Sequence, residues 1–182
     1  LHVEAATPLR TISNAVFGEG LQWVKHFCSF RVKEDYPSLK PEQDIYQWLN
    51  EKGINPEEAL GMLTAVPLTS YATAESTWSG GACFVLVTAG IGNAADVTCR
   101  HNQAKGIQVG TINTMAFVHA HLSDGGLTNA YMSAVEAKVR ALQELKIQDP
   151  QTNTPATGTP TDALLVASTQ TGSYTAYAGS AT

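Results

Sequence analysis

Residues 109–121, "VGTINTMAFVHAH", restrict the fold more than any other part of the chain. Read with a two-residue period, Asn113, Met115, Phe117, His119 and His121 fall on one face. Thr114, Ala116, Val118, Ala120 and Leu122 fall on the other. Both faces are largely apolar, which predicts a central strand with neighbours on either side.

The remaining segments supply those neighbours. "TPLRTISNAV" reads as a strand, Gly18-Glu19-Gly20 as a turn, and "HFCSFRV" (residues 26–32) as another strand. In "SLKPEQDIYQWLNEKG", Pro41 suits a first helical turn and acidic residues follow it. Ile45, Trp48 and Leu49 form one apolar face there, and Gly53 ends the helix. "NPEEALGMLTAV" opens like a capped helix, but its apolar cluster fits helix or strand, and Pro67 ends either.

"ACFVLVTAGI" (residues 82–91) is too short to cross a membrane, which takes roughly 20 apolar residues. It therefore reads as a buried strand entering a glycine turn. Ser123 can cap the helix "DGGLTNAYMSAVEAKVRALQELK", with Leu127, Tyr131, Ala134, Val135, Leu142 and Leu145 spaced to pack on the sheet. Asn129, Ser133, Glu136 and Arg140 share a neighbouring face. A Thr- and Pro-rich loop then leads to a last strand, "ALLVAST", and the tail shows no periodicity. The expectation is an α+β fold, a mostly antiparallel or mixed β-sheet covered by helices, in a single domain over residues 1–182.

With 182 residues, 43% hydrophobic and 15% charged, the chain fits a globular class. A net charge of -5 with scattered basic residues argues against nucleic acid as a partner. Cys28, Cys83 and Cys99 form no Cys-x-x-Cys pair and read as reduced, structural thiols of an intracellular protein. The start at Leu1, without Met, suggests truncation at the N-terminus.

Four features are candidates for chemistry. His119 and His121, two apart on a strand, could point the same way and bind a borderline metal, but no further ligands are evident. His2, His26 and His101 sit in unrelated sequence contexts. "AGIGNA" (residues 89–94) resembles a ligand-approach turn but lacks the third glycine of a dinucleotide loop. Glu136 fits either an exposed ion pair with Arg140 or a buried general base. Thr157, Thr159, Thr161 and Asp162 precede the last strand, where a polar loop would be the plain reading.

Taken in order, "LRTISNAV", "DYPSLKPE", "GMLTAV", "AGIGNA", "GTINT", "LSDGGLTNAYMSAVEAK", "ATGTPTDALLVAS" and "YAGSAT" resemble the adenosylcobinamide amidohydrolases of corrinoid salvage. The resemblance implies hydrolysis of the amide joining the aminopropanol arm to the corrin, giving adenosylcobyric acid. It implies a cytoplasmic enzyme whose partner is a small corrinoid, with no cofactor of its own, because the cobalt belongs to the substrate. Nucleic-acid binding and membrane insertion are not expected, and a homo-oligomer is left open. His119 and His121 depart from the family's pattern, in which an aspartate follows "GTIN". Family members continue into a further glycine turn and helix, so a C-terminal element is expected to be lacking.

Amide hydrolysis needs a nucleophile, a base and oxyanion donors. Motif position assigns the base to Glu136 or Asp162, substrate orientation to Asn113, and a weaker claim as nucleophile to Thr111 or Thr161. Gly110 with Thr111, and Gly92 with Asn93, are the expected oxyanion donors. Ser13, Thr64, Lys138 and Thr159 complete the expected substrate-binding set. Competing readings are a non-catalytic corrinoid-binding module and a metal hydrolase built on His119 and His121.

Overall fold

The computed structural model describes residues 1–37, 39–100, 110–172 and 174–178; His101, Val109 and the end of "YAGSAT" lie outside these. Strands β1 (His2–Ser13), β2 (Gly20–Arg31), β3 (Ala59–Thr64), β4 (Tyr71–Trp78), β5 (Gly81–Ala89), β6 (Ile112–His119) and β8 (Ala163–Ser168) form one mixed sheet. Its order is β3-β2-β1-β8-β6-β5-β4. Two short strands, β7 (His121–Leu122) and β9 (Tyr174–Thr175), pair in parallel. Helix α1 spans Pro41–Glu51 and helix α2 spans Asp124–Glu144. The α+β expectation therefore holds, and β6 is central, between β8 and β5.

Alternation divides the sheet's two faces. On one, Phe27, Leu60, Met62, Leu86, Met115 and Leu165 are buried together, and Phe27 meets Phe117 edge-on at 5.0 Å. Leu60 and Met62 belong to β3 and Met115 to β6, four places away in strand order. The sheet must roll over for them to touch. A register shift between Glu4 and Leu9 interrupts the pairing of β1 with β2, the kind of irregularity that lets a strand bend. The Asn113 Nδ2 donates to the Leu63 carbonyl at 2.8 Å, across the same fold-over.

The other face carries the helices. Ile45 and Leu49 of α1 are fully buried against Cys28 and Ala59, with Trp48 beside Phe30. Leu127 of α2 packs on Ala116 and Val166. Fully burying a leucine contributes on the order of 2 kcal/mol. Ser123 caps α2 by accepting from the Gly126 N–H at 2.8 Å. Arg10 pins the same end with two bonds to Asp124, 3.0 and 2.9 Å long, and holds that carboxyl below its usual range.

The structure resolves one open reading, overturns one expectation and adds one strand. "NPEEALGMLTAV" becomes a single 3₁₀ turn (Pro56–Glu58) followed by β3, because hydrogen bonding to β2 claims the backbone from Ala59 onward. Leu145 does not pack on the sheet: it is 71% exposed, just past the helix end, whereas Val135 borders a cavity between α2 and the starts of β6 and β8. β4, absent from the sequence reading, is exposed along its whole length and pairs with β5.

Candidate active site

β6 and β8 run parallel to each other, and both run antiparallel to their outer neighbours β5 and β1. The starts of β6 and β8 therefore lie on the same sheet edge as the ends of β1 and β5. Two loops meet there through the carbonyl of Gly110. It accepts from Asn93 Nδ2 at 2.9 Å and from the Thr161 hydroxyl at 2.9 Å. The Thr111 hydroxyl donates to the Thr161 carbonyl at 2.7 Å. Position 110 has room for glycine only: a Cβ there would stand 2.5 Å from the Gly90 carbonyl oxygen.

Asp162 sits at the mouth of β8, and four donors converge on its carboxylate. Oδ1 accepts from the Ile112 N–H at 3.0 Å and the Thr159 hydroxyl at 2.5 Å. Oδ2 accepts from the Thr159 N–H at 3.1 Å and Lys138 Nζ at 2.5 Å. The Lys138 and Asp162 side chains are 23% and 14% exposed, so the pair is largely shielded while open on one side. Gly158 makes the approach possible, because a Cβ there would lie 2.8 Å from Lys138 Nζ and closer still to Asp162 Oδ2. Asn14 fixes the backbone on the other side: its Nδ2 donates to the Asp162 carbonyl and its Oδ1 accepts from the Leu164 N–H.

This pair opens on a cavity of about 180 Å³ lined by Asn14, Ile112, Thr114, Tyr131, Ala134 and Lys138, among others. Ala134 also borders an apolar cleft of about 570 Å³ between α2 and the sheet, lined by Trp78, Val85, Ala116 and Val118, among others. The smaller space is bordered by Lys138, Asp162, Asn14 and Thr114, and the larger one mostly by apolar side chains.

A second polar knot secures the loops from behind. Asp96 accepts from the Thr98 N–H and hydroxyl (2.9 and 2.7 Å) and from the Thr154 hydroxyl (2.7 Å). These bonds, from Thr98 first and then Thr154, pull its carboxyl down to about 2. The Asp96 N–H in turn donates to Asp149 Oδ2 at 2.9 Å, and Ala95 pairs with Gly158.

The sequence-derived residues thus divide. Asp162, Lys138, Thr159, Thr161, Thr111, Gly110, Asn93 and Asn113 come together at this edge. Asn113 is buried, with Nδ2 bonded to Leu63 and Oδ1 3.2 Å from the Thr111 hydroxyl, so its amide is directed into the fold. Ser13 spends its hydroxyl on the Leu164 carbonyl at 3.0 Å. Thr64 is buried and accepts from the Val66 N–H. Gly92 lies exposed in its turn.

Glu136 is exposed. Two residues along a helix turn the side chain by about 200°, so it looks away from Lys138 and the cavity. Arg140 pairs with Glu144 at 2.7 Å rather than with Glu136. His119 and His121 do not share a face: β6 ends at His119, and His121 opens β7. His119 Nδ1 lies near the Thr169 and Thr171 hydroxyls, while His121 packs edge-on against Tyr174. Asn14, Asp96 and Asp149 went unread in the sequence. For Asn14 the available signal was its place in "LRTISNAV"; Asp96 and Asp149 lie in loops without periodicity.

A family profile described as adenosylcobinamide amidohydrolase matches residues 1–182. The chain belongs to the adenosylcobinamide amidohydrolase family. A stretch of 60 residues is also 38% identical to an uncharacterised protein of Methanocaldococcus jannaschii, covering 32% of this chain and 24% of that protein. The match thus spans about a quarter of that relative's length. No solved structure matches the chain. Among the described residues, the Lys138–Asp162 pair sets a cation and a carboxylate together beside a small cavity. Among the described residues, no helix is long and apolar enough to cross a membrane.

Proposed function

We propose that this protein hydrolyses the amide linking the aminopropanol arm to the corrin of adenosylcobinamide, giving adenosylcobyric acid and the free amino alcohol. The observation that carries the reading is the Lys138–Asp162 pair opening on the 180 Å³ cavity, in a chain whose whole length matches the family. The cavity has room for an amide and its short arm, and the adjoining apolar cleft would receive part of the macrocycle.

All four acceptor directions of Asp162 are occupied. In the reaction proposed here, the bound amide's carbonyl oxygen recruits the Lys138 ammonium, which stabilises the oxyanion as it forms. Lys138 thereby releases Asp162 Oδ2. That oxygen takes a proton from a water molecule as the water oxygen bonds to the carbonyl carbon. Collapse of the tetrahedral intermediate breaks the C–N bond, and the proton held by Asp162 passes to the departing amine. Asn14 and Thr159 hold Asp162 in place, while Thr111 and Thr161 hold the loops. The protein supplies no cofactor in this scheme; the cobalt remains part of the substrate.

The same saturation of Asp162 also favours a second reading, a corrinoid-binding module without turnover. Incubation of the full chain with adenosylcobinamide, followed by chromatography and mass spectrometry, separates the two. Adenosylcobyric acid as product, lost in Asp162→Asn and Lys138→Met, supports hydrolysis. Bound but unchanged corrinoid establishes the second reading and eliminates the first.

A further inference from the structure

The pairing of β1 with β2 brings together two histidines that look unrelated in the sequence. Glu4 stands opposite His26 and His2 opposite Cys28, so alternation sets all four side chains on one face. His2 Nε2 and His26 Nδ1 lie 3.1 Å apart, and their rings are 5.3 Å apart at 39°. One ligand atom from each of His2, Glu4 and His26 lies within 4.8 Å of the other two.

Two imidazole nitrogens on a tetrahedral zinc, each at about 2.0–2.1 Å, stand about 3.4 Å from one another. The His2–His26 separation is only a few tenths of an ångström shorter than this. A small outward turn of two exposed or half-exposed rings therefore admits an ion between them. We propose that His2, His26 and Glu4 form a binding site for a borderline divalent transition metal ion of the zinc type, with water completing its coordination. The two imidazoles disfavour magnesium and calcium, which select oxygen ligands. The site is independent of the reaction proposed above.

The surrounding groups fit this assignment. Burial first, and then the neighbouring His26, lower the pKa of His2. Lys25 holds Glu4 at 3.1 Å, but both side chains are substantially exposed. Such a pair contributes little and yields readily to a dication. Cys28 stands on the same face but is buried against Ile45 and Leu49 of α1, outside the cluster formed by His2, Glu4 and His26. In the absence of metal, one imidazole donates to the other. An ion between them would clip β1 to β2 where β8, which pairs only from Arg10 to Ser13, does not reach.

The test is calorimetric titration of the full, tag-free, chelator-treated protein with Zn²⁺, alongside thermal unfolding with and without the ion. The expected result is one ion per chain and a higher Tm in its presence. His2→Ala and His26→Ser, both at surface positions, should each weaken Zn²⁺ binding by about tenfold or more, and Glu4→Ala by less. Absence of stoichiometric binding overturns the proposal. So does affinity unchanged in either histidine variant, which would place the ion elsewhere. Loss of adenosylcobinamide hydrolysis is not a criterion, so failure of the metal site and failure of the proposed reaction are separately readable.

Discussion

Lys138 Nζ lies 2.5 Å from Asp162 Oδ2, joining the middle of α2 to the first turn of chain before β8. The contact ties the helix layer to the sheet edge where the loops converge, and it is the point at which fold and proposed chemistry meet. Asp162 is the more heavily committed partner, because it also receives Ile112 N–H and both donors of Thr159.

That asymmetry ranks two substitutions. Lys138→Met removes one ionic contact from a carboxylate that keeps three donors, and should cost about 1–2 kcal/mol. Asp162→Ala leaves an ammonium and two backbone N–H groups without their acceptor, and should cost about 3 kcal/mol. Urea unfolding of both variants checks the order. Equal losses would show that the ion pair, rather than the loop bonds, dominates. Both variants should lose turnover on adenosylcobinamide.

Glu136→Gln is expected to change little. An exposed carboxylate turned away from the cavity should leave stability within about 0.5 kcal/mol and turnover near the wild-type level. A large loss of kcat with the fold intact would restore Glu136 as the base and remove Asp162 from that role.

Asn113→Ala should outweigh the double change His119→Ala, His121→Ala. The asparagine is buried and holds β6 to the end of β3, so its loss leaves the Leu63 carbonyl unpaired. The cost is about 2–3 kcal/mol. The side chain of His119 lies near the Thr169 and Thr171 hydroxyls, and that of His121 packs on Tyr174. Thermal unfolding with product assays reads both effects, and the reverse ranking would contradict the structure.

Much of this fold was legible because burial imposes a period. α1 shows Ile45 and Leu49 four apart, α2 starts on a capping serine, and β6 and β8 are apolar on both faces. β4 was not legible because none of its residues is buried, so no alternation marks it. Long-range pairing was equally silent. The meeting of His2 with His26 depends on the β1–β2 register, and the bond from Asn113 to Leu63 depends on the roll of the sheet. Loop motifs indicated the neighbourhood of Asp162 but not its partners, since the Lys138 contact spans 24 residues and two elements.

Asp96 gives the fold a dependence on acid. Its folded pKa is about 2, against about 3.9 in an unfolded chain. A carboxyl depressed on folding contributes stability that is fully present above the unfolded value and is lost as pH falls through the folded one. Stability should therefore decline between about pH 4 and pH 2 as the bonds from Thr98 and Thr154 lose their anionic acceptor. Asp96→Asn should be less stable than wild type at neutral pH and should show a shallower decline over that window. Urea midpoints at pH 7, 4 and 2.5 measure it, and parallel curves for the two proteins would rule out Asp96 as the titrating group.

Gly110→Ala probes the junction of the two loops directly. The new methyl group would press on the Gly90 carbonyl at 2.5 Å and closer still on Asn93 Oδ1. The Gly90 oxygen belongs to the backbone, and the Gly90 N–H is bonded to the Thr111 carbonyl at 2.9 Å, so neither strand end can retreat alone. Overpacking of this kind costs about 1–3 kcal/mol. It would also displace the carbonyl that receives Asn93 and Thr161. The expected outcome is a folded but destabilised protein whose turnover falls more than its corrinoid affinity. Because Asp162 is carried on the same loop as Thr161, unchanged turnover in a folded Gly110→Ala protein would separate this junction from the proposed site.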